Sequence, residues 1–261
     1  MNLHHEVAGE GEPLFLLNGI MMTTATWAET TRALAPHFQC VLHDFRGQLR
    51  SEKPPGPYSM SMHVEDLAAL MDRLGIESAH LVGTSYGGEV GLMFAAAHPE
   101  RVRSLSVIAS VAKADDALRK GALRWAALAR RAPEQLWDSA LPLFYSPRFI
   151  AANPAFIEAG RQRVSALPPD WFRAFADLCE AFAALDADLA AIRCPTLVVC
   201  GSGDTLKPPH RSREIAEGIA GAQLVIIEDA GHAVVVEKPE AVNEALLRFL
   251  PKPIPPTTHR S

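Results

Sequence analysis

The chain has 261 residues, 48% of them hydrophobic and 21% charged, which excludes a disordered chain or a disulfide-stapled miniprotein and leaves ample apolar mass for a large core. Net charge is −5 and no Lys/Arg-rich run occurs, so a general electrostatic grip on nucleic acid or anionic lipid is not expected. No stretch reaches the roughly 18–20 uninterrupted apolar residues of a membrane span, and the start has neither the basic nor the apolar region of a signal peptide, which points to the cytoplasm.

In chain order, Leu3–Val7, Leu14–Leu17 and Cys40–His43 read as strands. Val64, Leu67, Ala68, Met71 and Leu74 fall on one face of a helix that Gly75 should stop. The strand Ala79–Val82, a helix over Gly87–His98 broken at Pro99, and the strand Ser104–Ala109 follow. Strands return only at Thr196–Cys200 and Leu224–Ile227, before a last helix over Pro239–Leu250 that ends at Pro251. Nearly continuous apolar strands alternating with helices predict a mostly parallel α/β sheet covered on both faces. Residues 112–192 show helical patterns cut by prolines and hold ten of the 18 aromatic residues. The expected division is a core of residues 1–111 and 193–250, a helical insert over 112–192, and an extended, flexible proline-rich tail over 251–261.

The four cysteines, Cys40, Cys179, Cys194 and Cys200, form no C-x-x-C pair and read as buried reduced thiols. No histidine pair has metal-ligand spacing, and neither a metal nor a cofactor is expected.

Chemistry concentrates at Gly83-Thr84-Ser85-Tyr86-Gly87. A strand enters this Gly-x-Ser-x-Gly turn and a helix leaves it, the setting of a nucleophile elbow. The serine stands off the sheet in a strained turn, and its neighbours need glycine because strand and helix crowd there. The first N–H groups of the helix favour a developing oxyanion. A hydroxyl needs a base, and the base an orienting carboxylate. Asp204 follows the strand Thr196–Cys200, and His232 follows Leu224–Ile227, each at a strand's carboxyl end, where open α/β sheets build their sites. Glu228 and Asp229 compete for the acid role but read better as capping the histidine turn.

These residues, Gly83–Gly88 with the Asp204 loop and Gly231-His232, resemble the α/β-hydrolase superfamily over residues 3–250. The elbow Gly83–Glu89 is similar to those of the esterase, enol-lactonase and C–C hydrolase branches. The resemblance implies that 112–192 is a helical cap and that the N–H groups of Ile20 and Tyr86 form the oxyanion hole. Asn18-Gly19 stands where the family commonly has His-Gly, a change that backbone donors tolerate. Asp44–Ser51 matches the family turn Asp-x-Arg-Gly-x-Gly-x-Ser except at Leu49, so a different loop backbone is expected there.

The leading expectation is a serine hydrolase that acts on a small-molecule ester, lactone or other acyl substrate. Ser85 attacks, His232 moves the proton and Asp204 orients it. Met21, Met22 and the aromatics Trp125, Trp137, Phe144 and Tyr145, with Phe149, are expected to supply an apolar acyl pocket. A C–C bond hydrolase, an acyltransferase and a slow-turnover ligand receptor are the alternatives. Oligomeric state is not legible.

Overall fold

The computed structural model describes residues 1–251. The proline-rich tail expected over 251–261 therefore lies, beyond Pro251, outside the described residues.

Seven strands form one sheet: β1 (His5–Ala8), β2 (Glu12–Leu17), β3 (Phe38–His43), β4 (Ala79–Thr84), β5 (Val102–Ile108), β6 (Thr196–Gly201) and β7 (Gln223–Ile227). Their order is β1-β3-β2-β4-β5-β6-β7. Only β1 runs antiparallel to its neighbour, pairing His5 with His43 and Ala8 with Cys40; the other neighbours are parallel. The first strand begins two residues later than the apolar pattern predicts. It is an edge strand, so its residues are not buried on both faces and periodicity marks it weakly.

The central strands β4 and β6 are buried along their whole length. Alternate side chains separate onto the two faces. Leu14 and Leu16 join Trp27, Leu34, Val242 and Leu246 in one core cluster. Phe15 and Leu17 join Leu67, Leu70, Val90 and Phe94 in the other. Helices α1 (Ala28–Leu34), α2 (Met60–Arg73) and α3 (Tyr86–Ala97) accompany the first strands. Gly75 (φ +68°) stops α2 as its sequence predicts. Ile76 N–H closes onto Met71 O at 2.9 Å and Gly75 N–H onto Asp72 O at 3.0 Å, a Schellman ending that needs the left-handed residue.

Between β5 and β6 come five helices: α4 (Asp116–Arg131), α5 (Leu136–Phe144), α6 (Pro147–Ala152), α7 (Pro154–Ser165) and α8 (Pro169–Phe182). Pro147, Pro154 and Pro169 open their helices, as missing N–H groups allow, whereas Pro142 is accommodated inside α5. At the base of the insert, Ala114 N–H donates to Leu185 O (3.0 Å) and Ala187 N–H to Ala112 O (2.8 Å). Helices α9 (Pro209–Gly218), α10 (Val234–Glu237) and α11 (Pro239–Phe249) follow among the described residues. All four cysteines are buried and free, and burial pushes the Cys40 thiol up to about 11.

Candidate active site

Ser85 links β4 to α3 with φ 52° and ψ −120°, a conformation that costs strain in an L-residue and persists only when its surroundings enforce it. Ser85 N–H donates to Ile108 O on β5 at 2.8 Å, and Glu89 N–H to Ser85 O at 3.1 Å. The flanking glycines are obligatory. A Cβ on Gly83 would stand 2.5 Å from Gly87 O, and one on Gly87 would stand 2.2 Å from Leu17 O.

Two later strands bring the partners. His232 Nε2 lies 2.9 Å from Ser85 Oγ, and His232 Nδ1 lies 2.8 Å from Asp204 Oδ2. With its proton on Nδ1 the imidazole donates to Asp204 and accepts from Ser85. The second carboxylate oxygen, Oδ1, accepts the Leu206 N–H (2.9 Å) and the Lys207 N–H (2.8 Å). Asp204 and His232 are both buried. The rival acid Asp229 turns outward at φ 54°, with its carboxylate 3.5 Å from Arg148. The structure thus brings Ser85, His232 and Asp204 together in one hydrogen-bonded chain.

Tyr86 is the first residue of α3, and its ring is buried with the hydroxyl 2.9 Å from His63 Nε2. Ile20 lies in the loop after β2. That loop borders Ser85, because a Cβ on Gly19 would stand 3.6 Å from Ser85 Cβ. A polar group holds the loop from behind: Gln48 Nε2 donates to Gly19 O at 2.8 Å. Asn18 donates to Asp44 (3.0 Å) and accepts from Trp27 Nε1 (2.9 Å). The family histidine is therefore replaced by a satisfied amide. Leu49 needs no left-handed backbone, since the positive φ in its turn falls at Gly47 (+81°).

Two cavities meet at Ser85. The smaller, about 360 Å³, is lined by Met21, Met22, Trp137, Phe144, Tyr145 and His232. The larger, about 690 Å³, is lined by Trp125, Phe144, Leu118, Phe182 and Lys207. The expected single apolar pocket is thus divided, with Trp125 on one side and Trp137 and Tyr145 on the other. Phe144 belongs to both and lies over the His232 ring, the centroids 5.9 Å apart. Phe149 lines neither cavity; it stacks on Tyr145 at 5.2 Å.

Sequence reasoning missed two charged groups here. Lys207 Nζ lies 3.1 Å from Ser85 Oγ and pairs with the Glu89 carboxylate. Glu89 is the lone charge in the otherwise uncharged helix α3, and such a buried charge demands a partner. That was the available signal. Burial pushes the Glu89 carboxyl above its ordinary range, with Lys207 opposing.

A serine elbow, a following acid and a closing histidine at the ends of parallel strands define a hydrolase class, and this chain belongs to the α/β-hydrolase fold family, whose model matches residues 12–239. A relative in Azorhizobium caulinodans, named "Putative carbamate hydrolase RutD", is 36% identical over 95% of this chain and 94% of its own length. The crystal structure of the enol-lactonase from Burkholderia xenovorans LB400 matches with TM-score 0.88 and 29% identity, covering 95% of each chain. A thermophilic esterase from Thermogutta terrifontis matches with TM-score 0.86 and 29% identity, over 95% of this chain and 92% of that one. Among the described residues no helix is long and apolar enough to cross a membrane.

Proposed function

We propose that the protein is a serine hydrolase that cleaves a carboxylic ester or lactone through an acyl-enzyme on Ser85. The observation that carries this reading is the buried chain from Ser85 Oγ through His232 to Asp204, at 2.9 and 2.8 Å, opening where two cavities meet. In acylation, Oγ bonds to the carbonyl carbon while its proton passes to His232 Nε2, and Asp204 stabilises the imidazolium. Ile20 and Tyr86 N–H groups receive the oxyanion. His232 then returns the proton to the leaving oxygen, and a water activated by the same imidazole releases the acid. The leaving arm therefore lies on the His232 side, in the smaller cavity, and the acyl arm in the larger. Helices α4, α5, α7 and α8 act as the cap, with α5 and α8 facing both cavities. Similarity to an enol-lactonase and an esterase supports the choice of substrate class.

A second reading, carbamate hydrolysis, is favoured by the name of the 36% identical relative; it uses the same attack on a carbonyl. A panel of p-nitrophenyl esters, small lactones and carbamates separates the two. Turnover of esters or lactones at least tenfold faster than carbamates is expected. Turnover of carbamates alone establishes the second reading.

A further inference from the structure

We propose that Lys207 is a further catalytic residue, its ammonium donating a hydrogen bond to Ser85 Oγ, with Glu89 as the counter-charge that positions it. The inference rests on Ser85 as the nucleophile. The juxtaposition itself is specific: Nζ is 3.1 Å from Ser85 Oγ, in salt-bridge contact with Glu89 Oε1, and 5.0 Å from the centroid of the Phe182 ring. The Lys207 side chain is 5% exposed and that of Glu89 fully buried, so neither is an incidental surface charge.

The serine oxygen has one proton and two lone pairs. Its proton goes to His232 Nε2. One lone pair accepts from Lys207, and the other remains for the carbonyl carbon. Lys207 thereby fixes the direction of the hydroxyl and opposes the negative charge that grows on Oγ as the proton leaves. In deacylation the same N–H faces Oγ as the bond to the acyl carbon breaks and His232 returns the proton. Lys207 keeps all its protons throughout, so the balance of the hydrolysis is unchanged. A cation this close to a nucleophile acts strongly where water is excluded.

Local structure explains how the group is placed. Lys207 belongs to the same loop as Asp204, and its own N–H anchors the Asp204 carboxylate at 2.8 Å. The residue precedes Pro208, which restricts its backbone to extended conformations. Glu89 lies one turn after Ser85 on α3, its N–H on Ser85 O. Pairing with it offsets the cost of burying an ammonium.

The alternative is that Lys207 only neutralises Glu89. Four proteins decide between them: wild type, Lys207→Met, Glu89→Gln and the double variant. Each is assayed for the second-order rate of fluorophosphonate labelling at Ser85, for kcat/KM on one ester, and for Tm. Lys207→Met is expected to lower both rates by about a hundredfold, the scale of one lost donor to reacting oxygen. The decisive comparison is the double variant with Glu89→Gln. Direct action leaves the double variant at least tenfold slower, although it buries neither charge of the Lys207–Glu89 pair. A double variant that matches or exceeds Glu89→Gln, or regains the wild-type rate, overturns the proposal. Should Lys207→Met not fold, the double variant still gives this comparison. Absence of labelling in the wild type would instead overturn Ser85 as nucleophile.

Discussion

At the scale of single residues, the molecule keeps several ionisable side chains where water does not reach. His43 stands edge-on between the rings of Phe15 (6.3 Å) and Phe45 (4.7 Å), and neither ring nitrogen has a hydrogen-bond partner. Burial brings it down to about 3, and burial with nearby Arg46 does the same to His63. The unfolded chain binds these protons near 6.5, the folded chain only near 3. Between those values the unfolded state holds more protons, so stability falls as pH falls, by about 1.4 kcal/mol per pH unit for each histidine. His43→Phe keeps the ring contacts and removes one titration. Its Tm, followed from pH 7 to pH 4, is expected to drop less steeply than that of the wild type. An identical slope would mean that His43 titrates alike in both states. Ser85, Asp204 and His232 were legible because a short glycine pattern and two strand ends mark them. Lys207 and Glu89 were not, since the two are 118 residues apart and only the folded loop brings them together. Gln48 was hidden for the same reason.

At the scale of elements, the turn between β6 and α9 presents Asp204 and Lys207 together, while α5 closes over His232. Ala233 N–H donates to Phe144 O at 2.7 Å, and Glu237 accepts from Ser146 N–H (2.8 Å) and Ser146 Oγ (2.6 Å). The end of α5 is thus tied to the His232 loop. The helical content of 112–192 was legible from its period and prolines, but its division of the aromatics between two cavities was not, because periodicity gives a face and not a depth. Trp125 and Trp137 provide the test. Trp125→Ala is expected to lower kcat/KM about tenfold for octanoyl against acetyl esters, a loss of contacts within about 1–3 kcal/mol. Trp137→Ala is expected to respond to the length of the alcohol instead. Two variants equally sensitive to both arms would contradict the assignment of arms to cavities.

Across the whole molecule, the apolar runs predict seven strands, and each has its counterpart among the described residues. Central strands such as β4 and β6 were the clearest because burial on both faces leaves an unbroken apolar run, whereas the partly exposed edge strand β1 was offset. Strand order was not readable from residues alone; it follows from the crossovers, which carry β2 between β3 and β4. That order sets β4, β5, β6 and β7 side by side with their carboxyl ends together, so residues 85, 204 and 232 converge without any being near another in the chain. In the proposed reaction this convergence makes Ser85 Oγ the atom that takes the acyl group. Intact-mass and peptide mass spectrometry after brief mixing with a slowly released p-nitrophenyl ester tests it most directly. One acyl adduct per chain is expected, located on the peptide containing Ser85 and absent from Ser85→Ala. Turnover with an adduct elsewhere, or undiminished turnover and labelling of Ser85→Ala, would contradict it.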